Sequence, residues 1–305
     1  MDESEVIGWI RKNRRADTRT AVGPGDDCAV ISMGGRDMIV SADTIAENVH
    51  FSEQTDPYRI GWKAAASGLS DIAACGCEPL GIVAACLIPR GRGGDCLQQI
   101  FQGLEDVCAL FDIGVAGGDI SQSVNNMAVT VTSFGSLHPD GFISRSGAIP
   151  GDRVFVTGSL GDSLSGAHLH CVPRIKESLR LRDLCAVHAM IDISDGLFGE
   201  LKHIAEESAV GFDIEPSAIP LSESVQKTYP ENRKEQILHA LCDGEDFELL
   251  FTVSAGSSGC LVSEWNMHVP VTCIGTCTDV SGEIVFSSDT LGIDVSSLTS
   301  YSHEF

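Results

Sequence analysis

The chain has 305 residues, enough for two domains and a large core, and its 43% hydrophobic and 21% charged residues describe a globular protein rather than a disordered one. Forty-three acidic residues against 20 Lys+Arg give a formal charge of -23. That balance argues against nucleic acid or an anionic membrane surface as the main partner, and an anionic small substrate would need metal ions to bridge it to the protein.

The stretch from Glu3 to Arg14 sets Val6, Ile7 and Ile10 on one helical face ahead of a basic end, which predicts an N-terminal helix. Gly25-Asp26-Asp27 follows, at the start of a strand-like run from Cys28 to Ile31. Strands alternate their side chains between faces, so the two carboxylates cannot both enter one core, and at least one needs water, a cation or a donor. A second strand-like run, Asp37 to Ala42, is closed by Asp43. Asp56-Pro57 is a cap followed by proline at the first helical position, and predicts a helix running toward Cys75. The small residues Ala64, Ala65, Ala66, Ser67 and Gly68 in it imply close packing against another backbone. Asp71 lies in the same alanine-rich stretch, where a solvated helix face and an inward functional carboxylate are equally consistent.

A buried strand over 80–88, an amphipathic helix over 95–111 and strands over 113–119 and 127–135 complete an alternation of strands and helices. The turn-rich run from Ser144 to Asp152 marks the expected boundary between an N-terminal domain, 1–143, and a C-terminal α+β domain, 144–305. Beyond it come a strand over 154–157, a short helix opening at Gly161 and a helical segment over 176–188. Met190-Ile191 then leads into Asp192-Ile193-Ser194-Asp195-Gly196, with Ser194 placed to cap a helix carrying Leu197, Leu201, Ile204 and Ala205. A helix over 233–241, a strand over 247–253, a helix near Leu261 and a strand over 271–275 complete the second half.

Aspartates thus recur beside glycines at the ends of apolar runs: Asp27, Asp43, Asp119 after Gly117-Gly118, Asp192 and Asp195. Carboxylates so placed are how proteins assemble sites for hard cations and phosphate. The 12 cysteines form no CxxC pair and are scattered among apolar residues, so they read as reduced core residues rather than zinc or iron-sulfur ligands. With a start, Met1-Asp2-Glu3-Ser4-Glu5, that lacks the basic and apolar regions of a signal peptide, and no apolar run of membrane-spanning length, a cytoplasmic location is expected.

Seven motifs fall in one order: Gly25-Asp26-Asp27, Ser41-Ala42-Asp43-Thr44 with Val49-His50-Phe51, Leu69-Ser70-Asp71-Ile72, Gly117-Gly118-Asp119, Ser144-Arg145-Ser146-Gly147, Asp192-Ile193-Ser194-Asp195-Gly196 and Gly244-Glu245-Asp246. In this order they resemble the thiamine-monophosphate kinase family, over nearly the whole chain from Gly25 on. The family sits in a superfamily with aminoimidazole ribonucleotide synthetase, selenide water dikinase and a hydrogenase maturation protein. The last two are set aside, since no Cys precedes Cys28 and the end, Tyr301-Ser302-His303-Glu304-Phe305, carries no cysteine.

The resemblance implies an α+β (mixed α/β) fold in which the N-terminal sheets of two subunits pair into a dimer β-barrel, with a C-terminal α+β domain behind each. It implies ATP-dependent phosphorylation of thiamine monophosphate to thiamine diphosphate, by direct in-line transfer at a site holding several magnesium ions. Residue by residue, it makes Asp27, Ser41, Asp43, Asp71, Asp119, Asp192 and Asp195 metal ligands, with Asp71 and Asp119 essential through the metal. Gly118, Asp119, Arg145 and Ser194 would touch ATP, and His50, Glu245 and Tyr301 would face thiamine monophosphate. Asp26 receives no role. The chain departs from the family pattern at Ala42, where a threonine is usual, and at Asn48, Gly68, Asp243 and Phe247. The alternatives are another ATP-using enzyme of the superfamily and a nucleotide- or metal-binding regulatory protein without activity.

Overall fold

A computed structural model describes residues 3–15, 17–287 and 290–301. In the first half, helix α1 (Glu3–Asn13) precedes strands β1 (Thr20–Val22), β2 (Ala29–Ser32) and β3 (Asp37–Ala46), then α2 (Pro57–Ala74), β4 (Glu78–Pro89), α3 (Gly94–Ala109), β5 (Val115–Ser123) and β6 (Ala128–Ser136). The strands form one sheet in the order β1-β2-β3-β6-β4-β5, antiparallel except for the parallel β4/β5 pair. Among the described residues it is an open mixed sheet, not a closed barrel, within the single chain.

Asp56 caps α2 as expected, its side chain accepting from the Tyr58 amide, with Pro57 in the first turn. The run Ala64 to Gly68 is buried, with Gly68 against the Val131 and Ser133 side chains of β6, while the close helix contact lies one turn earlier, at Gly61. A Cβ at Gly61 would overlap the Ile100 carbonyl oxygen in α3, and one at Gly103 would overlap the Tyr58 carbonyl oxygen in α2. Both helices lie on one face of the sheet, where Ile39, Ile45, Ile82, Val129 and Val131 are buried against them. In α1, by contrast, Ile7 and Ile10 remain exposed, so its apolar side is not part of the core.

The second half holds β7 (Arg153–Thr157), α4 (Ile175–Leu184), β8 (Val187–Asp192), α5 (Leu197–Ser208), β9 (Gly211–Ile214), α6 (Glu223–Thr228), α7 (Arg233–Cys242), β10 (Leu249–Val253), α8 (Ala255–Glu264), β11 (Val271–Thr278) and β12 (Ile284–Val285). Its sheet runs β12-β9-β11-β7-β10-β8. The helix expected after Gly161 is instead two 3-10 turns, Ser163–Ser165 and Ala167–Leu169, entered through Asp162 in the left-handed region at φ 60°. The helical segment expected to reach residue 188 stops at Leu184, and Val187 already pairs with Val253 in the sheet. Helix α2 packs against both α4 and β8, so the element carrying Asp71 also meets the strand ending at Asp192. All twelve cysteines are free thiols. No helix among the described residues is long and apolar enough to cross a membrane.

Candidate active site

Three carboxylates converge where the two halves meet. Asp27 lies just before β2, Asp71 in the last turn of α2 and Asp192 at the end of β8, and each offers an oxygen within 4.8 Å of the others. Their remaining contacts are selective. Arg145 donates to Asp27 Oδ1 through Nε (3.1 Å) and Nη2, leaving Asp27 Oδ2 buried without a hydrogen-bond partner. Ser41 Oγ donates to Asp71 Oδ2, and Ser70 Oγ donates to Asp192 Oδ2 at 2.6 Å.

Crowding this many acids has a clear electrostatic cost. Burial, followed by the charges of Asp192, Asp43 and Asp27, holds the Asp71 carboxyl well above the ordinary carboxylate range. Burial and then Asp27 push Asp192 up to about 7. Asp26, whose Oδ1 accepts from the Asp27 amide, is likewise pushed to about 7 by burial and by its neighbour Asp27. One guanidinium cannot balance the group. A small hard cation fits it, because the donors are all oxygens and one of them is a buried orphan.

Beside the cluster lies a cavity of about 280 Å³ lined by Asp43, His50, Ser194, Asp195, Glu245 and Tyr301. β3 with the turn after it, α2 through Ser67, the 3-10 turn through Leu164, the loop before α5 and the loop before β10 meet there with the C-terminal segment. Asp43 is interior to β3, which continues to Ala46, rather than at a strand end. His50 Nδ1 accepts from the Ala46 amide at 3.1 Å. Ser194 does not cap α5: Gly196 holds the N-cap position, and the Ser194 amide and hydroxyl instead donate to Glu200 Oε1 at 3.3 and 3.4 Å. The Asp195 amide donates to the same oxygen at 2.9 Å, so one buried carboxylate orders the whole loop.

Gly118 and Asp119 stand apart from both features. Thr44, Thr130, Ala85 and Asp119 form one cross-strand row, which places Asp119 three strand spacings, about 14 Å, from Thr44. Register also puts Asp119 on the face opposite Ser41 and Asp43, since odd and even positions of β3 point to opposite sides. Gly118 and Asp119 border a second, larger cavity of about 650 Å³ between β5 and α3, with Ala84, Leu97, Phe101 and Ile120 as apolar walls.

Ser70, Glu200 and Lys63 were given no role from the sequence, yet each holds a site residue. Ser70 adjoins Asp71, and Lys63 is the lone base beside a run of alanines, which were the available signals. Glu200 looks like an ordinary first-turn acid, and nothing local distinguishes it.

Residues 25–137 match the family model "AIR synthase related protein, N-terminal domain". Curated thiamine-monophosphate kinases are similar over most of their length. The Escherichia coli K12 protein is 34% identical over 92% of this chain and 91% of its own, and the Rhodopirellula baltica protein 32% identical over 92% and 90%. Among solved structures, AaThiL complexed with AMPPCP and TMP superposes with a TM-score of 0.85 at 27% identity, covering 99% of this chain and 97% of its own. Thiamine-monophosphate kinase from Stenotrophomonas maltophilia K279a gives 0.73 at 28% identity, over 92% and 94%. With this identity sustained over nine-tenths of the chain, the protein belongs to the thiamine-monophosphate kinase family.

Proposed function

We propose that this chain transfers the γ-phosphoryl group of ATP directly to the phosphate of thiamine monophosphate, giving thiamine diphosphate and ADP, as a cytoplasmic enzyme. The observation that carries the reading is the Asp27, Asp71 and Asp192 cluster, with its orphan oxygen, beside a cavity lined by His50, Glu245 and Tyr301. The cavity takes the organic part of the substrate, so that its phosphate lies toward the acids.

The substrate phosphate oxygen attacks in line and needs no general base, since it is already ionised near neutral pH. Asp27, Asp71 and Asp192, with Ser41, Asp43, Asp195 and Asp119, would hold more than one magnesium ion. When bound, magnesium supplies the positive charge that lets two anionic phosphates approach each other. Arg145 keeps its charge beside Asp27 and presents a planar fork to ATP oxygens, and Ser194 adds a hydroxyl. The larger cavity beside Gly118, with the Phe101 ring in its wall, suits a flat base.

Asp119 belongs to this site through a second subunit. The sheet face bearing Ala42, Ala85, Leu87 and Asp119 lies opposite α2 and α3 and is left exposed, so it is the face a second subunit would pair with. Mixing Asp71→Asn with Asp119→Asn subunits then recovers turnover that neither variant has alone, and no recovery would overturn the shared site. The reaction itself is tested by ADP release. It should depend on thiamine monophosphate and be absent with aminoimidazole precursors or selenide; the reverse preference would refute it.

A further inference from the structure

Lys63 is among the largest fully buried side chains in the molecule and sits in the interior of α2, behind the wall of the smaller cavity and not in its lining. A buried ammonium is costly unless its donors are used. All three protons of Lys63 have oxygen acceptors: the His50 carbonyl at 2.7 Å, and Glu245 Oε1 and Oε2 at 2.5 and 2.6 Å. Glu245 is itself unusual. Its backbone is left-handed at φ 66°, a conformation a glutamate adopts only when its surroundings enforce it, and its amide donates to the Ser194 carbonyl at 2.6 Å. Lys63 therefore ties three pieces together: the turn bearing His50, helix α2 with Asp71 eight residues along it, and the loop bearing Glu245.

We propose that Lys63 is a positioning residue for recognition of the substrate's organic moiety: it fixes the Glu245 carboxylate and the His50 turn and balances the Glu245 charge. The cavity then selects its ligand by oriented hydrogen bonds rather than by a bare negative charge. This rests on the proposed reaction. Lys63 hydrogen-bonds to neither the Asp27, Asp71 and Asp192 cluster nor Arg145, and meets the acids only through the charge of Asp43, so its loss acts first on the thiamine monophosphate side of the site.

The test is a double-mutant cycle on Lys63→Met and Glu245→Gln, with KM measured for both substrates. Wild-type turnover on thiamine monophosphate comes first; its absence overturns the proposed reaction and this inference with it. Given turnover, Lys63→Met should raise KM for thiamine monophosphate about 10-fold or more while KM for ATP stays within about 2-fold. The double variant, which removes both charges and leaves no unbalanced ion, should lose less than the product of the two single losses. Should Lys63→Met fail to fold, the double variant against Glu245→Gln alone still reads the coupling: under the proposal, the added Lys63 change alters KM for thiamine monophosphate by less than about 3-fold. Equal effects on both substrates, or strictly multiplicative losses, would overturn the inference while leaving the proposed reaction standing.

Discussion

Replacing Asp71 by Asn separates the two things its carboxylate does. In the metal-free protein Asp71 is a burden, buried beside Asp27 and Asp192 with oxygens within 4.8 Å. At an effective dielectric near 20, two such charges repel by roughly 3 kcal/mol, and desolvation adds to that. The raised Asp71 pKa gives the effect a sign. Between the unfolded value of 3.8 and the raised folded value, the folded chain binds more protons than the unfolded one, so wild-type stability falls as pH rises. Asn cannot ionise and can still accept the Ser41 hydroxyl bond, so the variant escapes this loss. Thermal unfolding in chelator should therefore show little difference at or below the unfolded value of 3.8, a difference that opens as pH rises, and a more stable variant near pH 8. The gain is about 1–3 kcal/mol there, or roughly 2–4 °C for each kcal/mol. Turnover should meanwhile fall on the order of 1,000-fold, because the cation ligand is gone. A variant that is less stable than wild type near pH 8 without metal, or that retains turnover, would refute the reasoning.

Three further outcomes follow from the same geometry. Ser70→Ala leaves a buried Asp192 oxygen without its donor, which should cost about 1–3 kcal/mol in denaturant unfolding and lower kcat; no change in either would show the contact to be incidental. Gly118→Ala places a Cβ onto the Ala84 carbonyl oxygen, so β5 must shift away from β4. Weaker ATP binding by calorimetry is expected, and unaltered binding would remove Gly118 from the nucleotide site. Finally, magnesium should raise the melting temperature more near pH 8 than near pH 6, since Asp192 and Asp71 must release protons to bind it. A pH-independent shift would place the ion elsewhere.

Local signals carried much of the architecture. Asp56-Pro57 announced α2, but the close contact with α3 rests on Gly61 and Gly103, which were not singled out from the sequence, whereas Gly68 of the small-residue run packs on Val131 and Ser133 of β6. Short elements were harder: four-residue β9 and two-residue β12 depend on partners distant in the chain, and no periodicity marks them. At the site, residue types were legible but their company was not. Asp71 was evenly poised between solvent and interior because its helix is alanine-rich on every side. Contact between α2 and β8 decided for the interior. Ser194 had the local pattern of a cap, yet buried Glu200 six residues later captured its amide and hydroxyl. Sheet register, which no local pattern encodes, put Asp119 on the face away from Asp43.

The most direct test follows the phosphoryl group. With ATP radiolabelled in its γ-phosphate, magnesium and wild-type protein, label should appear in thiamine diphosphate in step with ADP release. None should remain on the protein, and free thiamine should accept none. Label trapped on the protein, or transferred equally to free thiamine, would contradict direct transfer to a substrate held by its own phosphate at the acid cluster.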